Sequence, residues 1–310
     1  MVKAKPPLAL IAGPTASGKS ELALRLAEKV GGMVINADSA QIYRDLSIVA
    51  ASPDADEKAR APHRLYGVRD GAEPCSAADW ATLAKEAIAE AREDGLTPIL
   101  VGGTGLYLRT LLDGIAPVPD IESDIREAIR ATDTATNYAA LRNEDSAAAE
   151  RLNAGDTTRI ARALEVVRST GKPLSYWQAR KEGGIGDQVE LHVIILTPPR
   201  DWLAERCDRR FVKMVDEGAL DEVQTLLDRK LDPALPVMRA IGVPELAAYL
   251  SGDTSLDEAI AAGQLSTRQY MKRQYTWFRN QPPAHWPRFE QPLDDEAALA
   301  EALAQLTPSA

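Results

Sequence analysis

Two cysteines and three histidines are few for a chain of 310 residues, and their placement removes several chemistries at once. Cys75 and Cys207 lie far apart, with no C-x-x-C and no histidine at ligand spacing. Neither a disulfide framework nor a zinc site is built from them. His63, His192 and His285 are equally scattered, and His192 falls in a strand-like run where it reads as a packed residue. Long apolar runs are missing too. No stretch approaches the roughly 20 residues of a membrane span. The run that follows Pro7 is too short for a secretory h-region, so a cytoplasmic protein without membrane contact is expected. Basic excess is also absent. The formal net charge is −10, which excludes a surface coated in cations. Internal repeats and low-complexity tracts do not occur.

The acidic balance is nevertheless uneven. Eight acids face three bases from Asp120 to Glu150, whereas six bases face two acids from Arg151 to Arg180. Between Arg268 and Arg279 there are four bases and no acid. Local stripes of this kind follow a phosphate backbone even on an acidic protein.

The chain is organised around Leu8-Ala-Leu-Ile-Ala-Gly-Pro-Thr-Ala-Ser-Gly-Lys-Ser20. A short apolar run breaks at Gly13 and gives way to a helical pattern over Glu21 to Val30. Between them stands the G-x-x-x-x-G-K-[ST] spacing of a P-loop, formed by Gly13, Gly18, Lys19 and Ser20. Four residues between the glycines are enough to wrap backbone N–H groups around a polyphosphate. The following helix offers its free N–H groups and positive end to the same anion. Lys19 reaches terminal phosphate oxygens, and the Ser20 hydroxyl is a Mg²⁺ ligand. A glycine-rich turn without a ligand is the plain alternative, but strand, loop and helix all stand where the motif requires them.

Further strands are expected at Met33–Asn36, Thr97–Val101 and Gln188–Leu196. The first delivers Asp38, Ser39, Gln41 and Tyr43 to the C-terminal edge of the sheet, where open α/β proteins bind ligands. Capping of a following helix is the alternative role for Asp38 and Ser39. The second opens into Gly102-Gly103-Thr104-Gly105. Pro117 and Pro119 mark a linker, and Ile121 to Lys181 holds no convincing strand, so a helical domain is read as inserted in the core. Arg206, Arg210 and Met214 share one helix face, either solvated or an anion clamp. On the last long helix Tyr270, Trp277 and Phe278 read as core, with the bases outside or on RNA. Guanine-reading N-K-x-D, a second glycine-rich kinase loop and a Walker B acid after the third strand are absent.

Taken together, several motifs resemble the tRNA dimethylallyltransferases. They are Gly13–Ser20, Asp38-Ser39-x-Gln41-x-Tyr43, Pro62-His63-x-Leu65, Gly102-Gly103-Thr104-x-Leu106-Tyr107 and Asp156-x-x-Arg159-x-x-Arg162. Arg210-x-x-x-Met214, Arg239-x-Ile241-Gly242 and Lys272-Arg273-Gln274-x-Thr276-Trp277 complete the set, which runs through nearly the whole chain. The resemblance implies a P-loop NTPase-like α/β core, a parallel sheet flanked by helices, over 1–116 and 186–310. A small all-helical insertion over 117–185 would clamp the anticodon stem-loop of tRNA. The implied reaction moves the dimethylallyl group of dimethylallyl diphosphate to N6 of adenosine 37 in tRNA, with Mg²⁺ required and diphosphate released.

By the same pattern Asp38 is the general base, Thr104 supports the reacting pair and Arg210 lies on the diphosphate. Gly13, Pro14, Thr15, Ala16, Ser17, Gly18, Lys19 and Ser20 cradle that diphosphate, and Ser20 also holds the metal. Asp38, Ser39, Ala40, Gln41 and Thr104 meet the flipped adenine. Arg126, Thr158, Arg159, Ile160, Ala161, Arg162, Arg239, Lys272, Arg273, Gln274, Trp277 and Arg279 match tRNA-contacting segments. One departure stands out: the family's paired histidines and Leu-Ile-Asp are His63-Arg64-Leu65-Tyr66-Gly67 here. A small-molecule kinase and an adenylate prenyltransferase are the competing readings of the P-loop, and nothing demands more than a monomer.

Overall fold

A computed structural model describes residues 4–306. Six strands form one all-parallel sheet in the order β3-β2-β4-β1-β5-β6. They are β1 Pro7–Ala12, β2 Gly32–Asn36, β3 His63–Arg64, β4 Thr97–Gly102, β5 Glu190–Leu196 and β6 Arg288–Phe289. The central strands are near-continuous apolar runs because both of their faces are covered. Ala9, Ile11, Val34, Ile99, Val101, Ile194 and Leu196 pack in one cluster with helices Lys19–Val30 and Glu296–Leu306. Leu8, Leu10, Met33, Ile35, Leu100 and Ile195 alternate with them and are equally buried toward the other face. There Trp80, on helix Ala77–Glu93, donates its indole N–H to Asn36 O at 2.9 Å.

The apolar runs foretell β1, β2, β4 and β5. The edge strands β3 and β6 are two residues each, too short for any periodicity to mark, and exist through pairing with β2 and β5. The chain passes from β1 to β2 and returns to insert β4 between them. The loops leaving β1, β2 and β4 therefore meet at one edge of the sheet. Residues 38–54, after β2, contain neither helix nor regular strand, so Asp38 and Ser39 do not cap a helix.

The chain divides into two compact units, one holding the sheet and the other spanning Leu111–Ile185. The second begins ahead of the prolines, because Ile115 pairs with Glu182 and Ile185 donates to Leu111, which closes its ends. Its helices are Ser123–Ala131, Thr134–Glu144, Ser146–Arg151, Thr157–Thr170 and Leu174–Gln178. Asp133, Asp145 and Asp156 cap three of them, each carboxylate accepting a backbone N–H of the first turn. Ile129, Leu141, Ala148, Ala149, Ile160, Ala163 and Leu164 make its small core.

Candidate active site

The first loop is built before any ligand arrives. β1 ends at Ala12, and a side chain at Gly13 would sit 2.5 Å from the Leu196 carbonyl. Gly18, with φ +92°, turns the chain into helix Lys19–Val30 in a conformation that favours glycine. The loop between is tied to two distant helices. Thr15 N donates to Gln274 Oε1 at 2.8 Å, on helix Leu256–Asn280. Arg206 Nε, on helix Arg200–Asp216, donates to Ala16 O at 2.9 Å, and Arg210 donates to Thr15 Oγ1. Lys19 Nζ folds back on Pro14 O at 2.6 Å. The arginines at i and i+4 thus face the P-loop, and the anion-clamp reading of that helix face holds.

The electrostatics suit a polyanion. Burial lowers the Lys19 ammonium to about 8; neighbouring Arg210 pushes it the same way, and Asp38 opposes. Burial likewise depresses Arg210. Two cations crowded into a half-buried loop are stabilised once phosphate oxygens come between them. Ser17 Oγ, buried and without a hydrogen-bond partner, is a further donor inside the loop. Ser20 is exposed at the start of the helix.

Opposite the cations stands Asp38. Asn36, wholly buried, accepts from Asp38 N at 2.7 Å and donates to Asp38 O and Leu65 O, both at 3.0 Å. Asp38 Oδ1 accepts from Ala40 N at 3.0 Å, which fixes its rotamer. Thr104 Oγ1 accepts from Ser39 N at 3.0 Å and donates to Ser39 Oγ at 3.3 Å, joining the β2 and β4 loops. Gln41 Nε2 donates to Ala50 O and Ala51 O at 3.1 and 2.7 Å. Lys19, Asp38, Gln41, Tyr66, Arg210 and Met214 line one cavity of about 750 Å³. That volume accommodates an allylic diphosphate beside a nucleobase.

Two residues matched to the RNA prove internal. Gln274 is only 5% exposed, and besides Thr15 N it serves Gly103 O at 2.9 Å, so its amide has no capacity left for an outside partner. Ile160 is fully buried in the insertion core. Trp277 is half-buried, its indole filling the space over Gly105. Lys272, Arg273 and Arg279 are exposed on the same helix, as is Arg239 after Pro233. In the insertion Thr158 and Arg159 are exposed, Ala161 and Arg162 are partly so, and Arg126 is half-buried with an unpaired Nε. Arg162 leans on the buried Glu165 carboxylate at 3.7 Å, which also takes Arg130 at 3.2 Å. Arg64, where the family has a second histidine, pairs with Glu90 at 2.5 Å and stands apart from the cavity lining.

Sequence reasoning missed Asn36, the hinge of the Asp38 loop. A polar residue closing an otherwise apolar strand was its only signal.

The IPP transferase family model matches residues 41–281. The tRNA dimethylallyltransferase of Erythrobacter litoralis is 61% identical over 291 residues, 92% of either chain. That of Sphingopyxis alaskensis is 62% identical over 282 residues, 91% of this chain and 92% of its own. Among solved structures, the full-length tRNA isopentenylpyrophosphate transferase of Bacillus halodurans superposes with TM-score 0.70 at 34% identity. It covers 97% of this chain and 95% of its own. A eukaryotic dimethylallyltransferase acting on tRNA matches with TM-score 0.75 at 29% identity, over 88% of this chain and 69% of its own.

Proposed function

The chain belongs to the IPP transferase family, and from that premise we propose that it is a tRNA dimethylallyltransferase. It moves the dimethylallyl group of dimethylallyl diphosphate to N6 of adenosine 37 in tRNA and releases diphosphate. One observation carries the reading at the level of chemistry: a P-loop and a carboxylate, Asp38, line one cavity large enough for both reactants.

An exocyclic adenine amine is a poor nucleophile and does not lose its proton in advance. An allylic C–O bond ionises with comparative ease, because the cation is delocalised. The need is therefore to hold the departing diphosphate. The P-loop amides, Lys19 and Arg210 are aimed at it beforehand, a preorganised stabilisation of several kcal/mol in total, on the order of 3–4 per well-placed donor. As the N–C bond forms and the C–O bond breaks, the N6 proton passes to the Asp38 carboxylate, an effect of about 10²–10⁴-fold. The Ser39–Thr104 pair holds the loop that carries Asp38. The adenine leaves its stack to enter, at a cost of a few kcal/mol that stacking and edge contacts offset.

The donor set suits Mg²⁺ held mainly by substrate. Among the described residues no group of three or more His, Cys, Asp or Glu side chains could hold a metal ion. The hard Ser20 hydroxyl at the P-loop exit is the kind of single protein ligand such an ion takes beside phosphates and water. When bound, the ion would neutralise developing charge on the leaving diphosphate.

The insertion and the exposed face of Lys272, Arg273 and Arg279 grip the tRNA, and the enzyme works as a cytoplasmic monomer. A kinase or a free-nucleotide prenyltransferase has no use for either surface. Labelled dimethylallyl diphosphate with tRNA, AMP or ATP tests the reading: label is expected on tRNA alone. Label on AMP, or phosphate transfer without prenylation, overturns it.

A further inference from the structure

Residues 38–54 form one wall of the cavity, with Gln41, Ile48, Ala50, Ala51 and Ser52 facing in, and contain no regular element to stiffen them. Irregular segments of this length hold one shape only where something outside fixes them. Here the fixing is concentrated in one side chain. Glu222, in the first turn of helix Ala219–Asp228, takes four hydrogen bonds from three consecutive residues. Its Oε1 accepts from Ser47 N at 2.6 Å, from Ser47 Oγ at 2.8 Å and from Ile48 N at 2.8 Å. Its Oε2 accepts from Val49 N at 2.8 Å. A carboxylate saturated by backbone N–H groups is a strong, geometrically narrow anchor.

A second fastening acts beside it. A side chain at Gly242 would come within 2.9 Å of Val49 Cγ1, so glycine there leaves room for Val49 to seat beside Phe211. The far end of the wall is held by Gln41, whose amide spans Ala50 O and Ala51 O. The inward residues between these ties, Ile48, Ala50 and Ala51, are apolar, and Met214 faces the same cavity.

We propose that Glu222 is a positioning residue that sets the shape of this wall and thereby the length of prenyl donor the cavity accepts. The inference rests on the cavity being the donor pocket. Anchored, the wall confines a five-carbon allyl group against Ile48, Ala50 and Ala51. Released, it yields room for a longer chain and holds the short one loosely.

The test uses Glu222→Ala and Glu222→Gln, with Asp221→Ala as the exposed neighbour in the same turn. Donor KM, tRNA Kd and melting temperature are measured, together with transfer from dimethylallyl and geranyl diphosphates in parallel. Glu222→Ala is expected to raise donor KM about tenfold, with kcat changed less and tRNA Kd held within about twofold. The geranyl to dimethylallyl ratio of kcat/KM is expected to rise by about tenfold or more. Glu222→Gln, which keeps one acceptor oxygen, falls between, and Asp221→Ala behaves as wild type. The glutamine variant also serves if the alanine variant does not fold. A folded Glu222 variant with unchanged donor KM and unchanged donor ratio overturns the inference while leaving the functional reading intact. A wild-type protein that prenylates no tRNA overturns that reading first, and this one with it.

Discussion

Two adjacent strands of the sheet, β1 and β4, both end in a glycine-rich turn that opens a helix, yet glycine serves opposite purposes in them. In the first turn it makes room for a ligand: Gly18 lets the chain swing into helix Lys19–Val30 so that backbone N–H groups converge on the cavity. In the second it makes room for the protein itself. A side chain at Gly102 would run into the Ala37 carbonyl, one at Gly103 would meet Gln274, and one at Gly105 would enter the Trp277 ring. The first turn is a cradle and the second a bearing surface. Gln274 couples the two, since one amide holds Thr15 N of the cradle and Gly103 O of the bearing.

The sharpest way to break this division is at the residue both turns serve. Asp38 is held by Asn36 within its own strand end and through Ser39 by Thr104 of the second turn. It faces the cations of the first across the cavity. Asp38→Ala should lower kcat by about 10²–10⁴. Its effect on tRNA Kd should be small. Near-normal single-turnover prenylation in that variant would remove Asp38 from the chemistry.

The next two changes separate cradle from bearing. Lys19→Ala should cost about 10²–10³ in kcat/KM for the donor. Its melting temperature should be unchanged or higher, because the side chain removed is a half-buried cation. Gly102→Ala should do the reverse, losing about 1–3 kcal/mol of stability through overpacking against Ala37. Paired thermal melts and donor titrations check both. If Gly102→Ala abolished donor binding in a fully stable protein, the two turns would not be functionally distinct.

Much of this is legible in the sequence, and what is not has a physical cause. The P-loop spacing and the four long apolar strands declare themselves because a fully covered parallel sheet needs unbroken hydrophobic runs. Asp38 and Thr104 fall at the ligand edge once their strands are found. Gln274 and Ile160 mislead because a motif match carries residue identity but not side-chain direction. On a helix, neighbouring positions point about 100° apart, so Arg273 is outside while Gln274 is within. Arg206 and Arg210 can be put on one face but not pointed inward, since nothing local says what lies opposite. Glu222 and Asn36 are silent in sequence, for their partners are set by tertiary contact alone.

A gentler probe of the cradle is pH. Below about 8 the free Lys19 is an ammonium ion and the donor binds without taking up a proton. Above that value it is neutral, and binding a polyanion requires protonating it first. Donor affinity should therefore fall with rising pH, by up to about tenfold per unit above 8. Calorimetry in two buffers of different ionisation enthalpy should show proton uptake on binding near pH ~9 and none near pH ~6.5, on either side of that value. A Lys19→Arg variant, cationic throughout, should lose the dependence. A flat profile in the wild type would mean that Lys19 is already charged at high pH.

The comparison reaches its smallest expected effect on helix Leu256–Asn280, which repeats the contrast on its two sides. One side turns Gln274 and Trp277 to the second glycine turn, whereas Lys272, Arg273 and Arg279 are exposed on the other. Arg273 lies over the Tyr270 ring at 5.7 Å, which holds the guanidinium ready without a carboxylate partner. If that side meets tRNA phosphates, replacing Lys272 and Arg273 together should flatten the slope of log K against log salt. The slope should change by about 0.7–0.9 for each phosphate the variant no longer neutralises. Affinity near physiological salt should fall severalfold, and donor KM should stay where it was, because neither residue lines the cavity. An unaltered salt slope would confine the RNA grip to other surfaces and leave this helix as scaffold on both of its sides.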